Sequence, residues 1–209
     1  MKWSMDEVLK LYLVTKEDMH IDILLKKVEE AVKGGVTMVQ LREKNSSSHE
    51  FYNKAIRLKE LLISYKIPLI INDRVDIALA IEADGIHVGQ SDLPAKVVKS
   101  MIPDGMILGV SARTIEEATR AKMAGAHYIG VGACFPTSTK NDAKLIHHDL
   151  IKEINTKVNI PSVGIGGITM DNVENLSHLG LNGVAVISAI LNAENTTLAA
   201  QSITSKFES

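Results

Sequence analysis

With 209 residues, 45% of them hydrophobic and only 4% aromatic, the chain has the length of one domain and must build its core from aliphatic side chains. Lys and Arg number 23 against 25 Asp and Glu, a formal net charge of -2, and without a basic stripe or long charge run a nucleic-acid surface is excluded. The one cysteine, Cys134, excludes an intrachain disulfide, no apolar run reaches the ~18 residues of a membrane span, and Met1–Lys10 lacks the apolar core of a signal peptide, so a reducing, cytoplasmic setting is expected.

In chain order, the segment around Trp3 reads as a short helix that plugs one end of a sheet, with Tyr12 nearby. Short β-rich runs then alternate with longer helical patterns. Strands are expected at Leu11–Thr15, Met38–Arg42, Pro68–Asn72, Gly85–Val88, Ile107–Ser111, Tyr128–Gly132, Ser162–Ile165 and Gly183–Ile187. Helical segments follow them, among them Ile23–Val32, Phe51–Ile63, Thr114–Ala124 and Leu145–Ile154. Thr114 and Glu117 form a capping-box pattern, in which the hydroxyl takes an orphan amide and the carboxylate returns the bond. Gly34-Gly35 and Gly125 stand where a left-handed residue ends a helix. Eight such βα repeats, with no linker or composition shift, predict the α/β class. The expected architecture is a single (β/α)8 TIM barrel over residues 1–209.

In that fold the chemistry sits at the C-terminal strand ends and the loops that follow. The second strand ends in Gln40-Leu41-Arg42-Glu43-Lys44. Strand alternation turns Gln40, Arg42 and Lys44 toward the barrel mouth and Val39 and Leu41 toward the helices. Two cations and an amide converging there call for an anion; a solvated strand end is the plainer alternative. The third strand ends Asn72-Asp73, and the loop after the fourth reads Gly89-Gln90-Ser91-Asp92. Two carboxylates on adjacent strand ends suit Mg2+, which shares its shell with phosphate oxygens and water. The plainer alternative makes each Asp a helix cap.

The sixth strand runs into Gly132-Ala133-Cys134-Phe135-Pro136-Thr137-Ser138-Thr139-Lys140, a long structureless link with two Thr hydroxyls and a cation to offer an anion. Gly166-Gly167-Ile168, then Thr169 and a helix, follow the seventh strand, and Ile187-Ser188 end the eighth. Backbone amides in those two places commonly bind phosphate, although a tight turn alone explains the glycines. His147-His148 reads as helix surface, His87 and Cys134 as packing. Asn45-Ser46-Ser47 and Asn195-Thr196-Thr197 are chance matches to glycosylation acceptors in a cytosolic protein.

Taken together these segments resemble the thiamine phosphate synthase family. The resemblance rests on residues 39–44, 71–76, 85–94, 109–111, 135–140, 166–168 and 186–188, which occur in the family's order. It implies a transferase of thiamine biosynthesis. Such an enzyme condenses a hydroxymethylpyrimidine diphosphate with a thiazole phosphate, or its carboxylated form, and releases pyrophosphate by a dissociative path. By the same resemblance Gln40, Arg42, Lys44, Asn72, Ser111 and Lys140 hold the pyrimidine diphosphate, with Lys140, Ser111 and Arg42 catalytic. Asp73 and Asp92 hold Mg2+, and Thr137, Thr139, Gly167, Ile187 and Ser188 hold the thiazole phosphate. Ala133-Cys134 departs from the family, where a proline and an aliphatic residue are more usual. The alternatives are a related thiazole tautomerase, which loses much of the diphosphate set, a non-catalytic sensor of thiamine-pathway phosphates, and a phosphate-binding barrel enzyme of another pathway. Whether the chain is a homo-oligomer is left open by the sequence.

Overall fold

The computed structural model describes residues 2–17, 19–137 and 144–209. Their elements run α1 (Met5–Val8), β1 (Leu11–Val14), α2 (Ile21–Lys33), β2 (Met38–Leu41), α3 (Ser48–Tyr65), β3 (Leu69–Asn72), α4 (Val75–Ala80), β4 (Gly85–Val88) and α5 (Ala95–Met101). They continue β5 (Ile107–Ala112), α6 (Ile115–Met123), β6 (Tyr128–Val131), α7 (His148–Val158), β7 (Ser162–Ile165), a 3-10 turn (Val173–Leu176), β8 (Gly183–Val186), α8 (Ser188–Leu191) and α9 (Thr196–Phe207). Each strand pairs in parallel with its neighbour in sequence. β8 returns to β1 through Leu11 beside Val184 and Leu13 beside Val186, which closes the sheet. This is the (β/α)8 TIM barrel that the alternation predicts.

Strands covered on both faces read as nearly continuous apolar runs, and these do. Period-two alternation sorts them into two cores. Leu13, Val39, Leu41, Ile71, Leu108 and Val131 face outward into the helix layer. Tyr12, Met38, Ile70, Ile107, Tyr128, Val163 and Ala185 fill the interior. Met5, Val8 and Leu9 join the inner set, so α1 closes the N-terminal end of the barrel as the sequence suggests. Gly183 makes that closure possible: a Cβ there would overlap the carbonyl oxygens of Leu9 and Lys10.

Most boundaries shift by a few residues. α3 begins at Ser48 because Ser47 and Glu50 form a full capping box. At α6 the box is only half made. Thr114 Oγ1 accepts the Glu117 amide at 3.2 Å, but the Glu117 carboxylate takes the Arg113 amide, at 2.7 Å. The helix expected from Leu145 starts at His148 instead. The Ile146 amide donates to Ala133 O at 2.9 Å and the Ala133 amide to Lys144 O at 3.1 Å, so the chain is tied to the loop after β6 before it can coil. A helix expected after β7 is replaced by the 3-10 turn. Asn172 accepts from the Thr169 amide at 2.8 Å and donates to Gly167 O at 2.9 Å, which folds 167–172 into a compact loop and leaves too little chain for a regular helix. No described helix is long and apolar enough to cross a membrane.

Candidate active site at the C-terminal barrel end

The β2 side of the mouth is held by two carboxylates that the sequence reading passed over. Gln40 points inward at 4% exposure, while Arg42 lies beside Glu17 in the loop after β1 and Lys44 pairs with Asp73 at the end of β3. Glu43 turns the other way. It pairs with Lys54 of α3 at 2.8 Å and accepts from Ser46 Oγ at 2.7 Å. Glu17, in the loop after β1, accepts the amides of Lys44 (3.0 Å) and Asn45 (2.6 Å), with its second oxygen 4.0 Å from the Arg42 guanidinium. Two anchored acids thus fix the loop that carries the two cations. Isolated Glu residues in flanking positions carry no motif, so only the fold brings them to light.

Asp73 and Asp92 meet across the ends of β3 and β4. Neither caps a helix. The N-cap residues of α4 and α5 are Arg74 and Pro94, and Asp92 accepts the Gly89 amide at 2.7 Å inside its own loop. Asp73 takes a left-handed backbone, φ 60°, a conformation Asp accepts more readily than most residues. Its carboxylate forms an ion pair with the Lys44 ammonium and lies beside the Asp92 carboxylate. Burial raises its pKa above the ordinary carboxylate value; Lys44 pulls it back in part, and the like charge of Asp92 pushes it up again. A carboxylate that pairs with an ammonium and lies against a second carboxylate fits a divalent cation. Among the described residues no third His, Cys, Asp or Glu joins them. Mg2+ suits such a pair, because it takes one or two protein carboxylates and completes its shell with phosphate oxygens and water.

Two further groups face the mouth. Asn72 is 8% exposed, and its Nδ2 finds no hydrogen-bond partner among the described residues. A buried orphan donor costs on the order of 1–3 kcal/mol, a cost that a ligand acceptor removes. Ser111, half-buried on β5, lies 2.9 Å from His87 Nε2. His87 is packed as expected, yet it is also hydrogen-bonded: its Nδ1 is 2.9 Å from Tyr128 Oη. Tyr128 Oη is 2.8 Å from Tyr12 Oη, which accepts from Gln40 Nε2 at 2.6 Å. Gln40 and Ser111 are expected at the site and Tyr12 near the barrel plug; the hydrogen-bonded roles of Tyr12 and Tyr128 emerge only when the barrel closes around them.

The opposite side of the mouth comes from the β6, β7 and β8 loops. Cys134 N donates to Ile165 O at 2.9 Å and Phe135 N to Gly166 O at 3.0 Å, joining the first two. Gly167 sits at φ 65°, and a Cβ there would overlap the carbonyl oxygens of Phe135 and Pro136. Thr137 is half-buried at the end of the described part of its loop; Thr139 and Lys140 lie outside the described residues. Ile187 and Ser188 begin α8, with Ser188 exposed. Among the described residues the amides of Gly167 and Ser188 meet no acceptor. Cys134 is 2% exposed and burial pushes its thiol up to about 12, so it packs rather than reacts. His147 is on the surface as expected. His148 is not wholly so, since it stacks edge-on against Phe135 and its Nε2 is 3.2 Å from Cys134 O.

The family model described as thiamine monophosphate synthase matches residues 11–190. The chain belongs to that family. A thiamine-phosphate synthase of Methanobrevibacter smithii is 50% identical over 200 residues, 96% of each chain. One of Alkaliphilus oremlandii is 54% identical over 194 residues, covering 92% of this chain and 93% of that one. The solved thiamine phosphate pyrophosphorylase of Pyrococcus furiosus superposes with a TM-score of 0.89 at 38% identity over 98% of both chains. The family member described here is accordingly an enzyme of thiamine phosphate synthesis, and the tautomerase and sensor readings are not favoured.

Proposed function

We propose that this chain joins a hydroxymethylpyrimidine diphosphate to a thiazole phosphate with Mg2+ as cofactor, releasing pyrophosphate. The observation that carries the reading is the meeting, at one end of the barrel, of the Asp73/Asp92 pair, the Arg42 and Lys44 cations and the orphan Asn72 amide. The diphosphate belongs on that side, with Gln40, Asn72 and Ser111 lining its approach. The thiazole phosphate belongs opposite, on Thr137, Thr139, Gly167, Ile187 and Ser188. The reading takes residues 1–209 as one domain, working in the cytoplasm on small molecules and not on nucleic acid or membrane.

The bond that breaks joins the pyrimidine methylene carbon to the diphosphate oxygen. The electron-rich aminopyrimidine can carry the positive charge left behind, so a dissociative path is open. Arg42 and Lys44 place fixed positive charge where negative charge develops on the leaving group, and Lys140, outside the described residues, takes the same role by the family resemblance. When bound at the carboxylate pair, Mg2+ supplies Lewis-acid stabilisation of the leaving diphosphate. The thiazole nitrogen carries its own lone pair and needs no general base. Anchoring of its phosphate by the opposite loops supplies proximity and orientation.

Lys140→Ala tests the leaving-group role. Its kcat should fall by about 10²–10³, the scale seen when one preorganised charge-stabilising donor is lost. Its melting temperature should stay at the wild-type value. Wild-type turnover in this variant removes Lys140 from the reaction.

A further inference from the structure

Five side chains from five strands cross the barrel interior in one line: Gln40 (β2), Tyr12 (β1), Tyr128 (β6), His87 (β4) and Ser111 (β5). Each link is 2.6–2.9 Å long, and of the five only Ser111 is not buried. We propose that this line is a one-way hydrogen-bond chain that holds His87 as its Nε2–H tautomer and so turns the Ser111 hydroxyl hydrogen outward, toward the substrate. His87 is then a positioning residue for the reaction. The proposal rests on the reading above that Ser111 meets the diphosphate substrate.

The direction follows from counting hydrogens. The Gln40 amide donates Nε2–H to Tyr12 Oη. Tyr12 has a single hydroxyl hydrogen, and Tyr128 Oη is the acceptor within reach. In the proposed direction Tyr128 gives its only hydrogen to His87 Nδ1, 2.9 Å away. Both phenols keep their hydrogens, since burial raises each pKa well above the ordinary tyrosine value. A neutral imidazole that accepts at Nδ1 carries its hydrogen on Nε2. That hydrogen faces Ser111 Oγ, which accepts it and has its own hydrogen left for the mouth. Phosphate oxygens only accept, so a hydroxyl pointed this way matches the proposed ligand. A reversed line would present lone pairs to an anion. Buried hydrogen-bond lines also polarise one another, which strengthens the last donor.

The direct test is the tautomer. Long-range proton–nitrogen correlation on the 15N-labelled, ligand-free full chain, with His87 assigned by its absence in His87→Gln, should show Nε2 protonated and Nδ1 bare at neutral pH. Tyr128→Phe removes one oxygen and keeps the ring. It should leave His87 in mixed tautomers and lower kcat about ten-fold, with KM for the thiazole phosphate unchanged. A protonated Nδ1 in the wild type overturns the proposal alone. So does wild-type kcat in Tyr128→Phe. Wild-type kcat in Ser111→Ala overturns it together with the placing of Ser111 at the substrate, so the two failures are distinct.

Discussion

Asp73→Asn should lower kcat/KM for thiamine phosphate formation by about 10²–10³ without lowering the melting temperature at pH 7. The loss of activity has the size expected for removing one arm of an electrostatic site. The unchanged or raised stability follows from the direction of the Asp73 pKa shift. A carboxyl whose folded pKa lies above its unfolded value destabilises the fold above that pKa, and the burden is relieved as pH falls through it. At neutral pH the ligand-free fold therefore carries a cost at Asp73, raised by burial and by Asp92. Asparagine keeps the shape and the tolerance for a left-handed backbone, and it removes the charge. The lost pair with Lys44 matters little, because that ammonium is 42% exposed. Thermal melts at pH 7 and in the acid range check the sign: any gain over wild type should shrink on acidification. A melting temperature several degrees lower with kcat/KM intact would make Asp73 a structural residue.

Gly183→Ala should do the opposite. Its Cβ would overlap backbone oxygens of Leu9 and Lys10, which seat α1 under the barrel and cannot swing aside as a side chain can. Overpacking of this kind costs about 1–3 kcal/mol or more, and in a chain of this size each kcal/mol lowers the melting temperature by roughly 2–4 °C. A fall of about 5–10 °C is expected on that basis. Turnover per folded molecule should hold, because the N-terminal face of a barrel serves stability and the C-terminal face serves chemistry. Loss of kcat at a temperature where the variant is fully folded would break that division of labour.

The barrel itself was open to sequence reading because eight apolar runs, each bounded by turn residues and spaced by helical patterns, admit few other arrangements. The inward turn of Gln40 and the outward turn of Val39 and Leu41 followed from strand alternation alone. Local hydrogen bonds with no pattern in sequence decided the rest. The Asn172 amide replaced a helix with a 3-10 turn, and the pairing of Lys144 and Ile146 with Ala133 delayed α7. At the site, Asp73 and Asp92 could have been caps until the observed N-caps proved to be Arg74 and Pro94. Glu17, Glu43, Tyr12 and Tyr128 stayed hidden for a common reason. The partners of Glu17, Tyr12 and Tyr128 lie 25 to 116 positions away, Glu43 finds Ser46 and Lys54 only once its loop folds onto α3, and neither spacing nor residue type records that.

The most direct measurement of the central claim follows pyrophosphate release by the purified chain with the pyrimidine diphosphate, the thiazole phosphate and Mg2+. Each component is then left out in turn, with EDTA as the metal control. The account predicts release only when all three are present, in step with thiamine phosphate appearing. Release without the thiazole phosphate at the full rate, or undiminished release in EDTA, would contradict it.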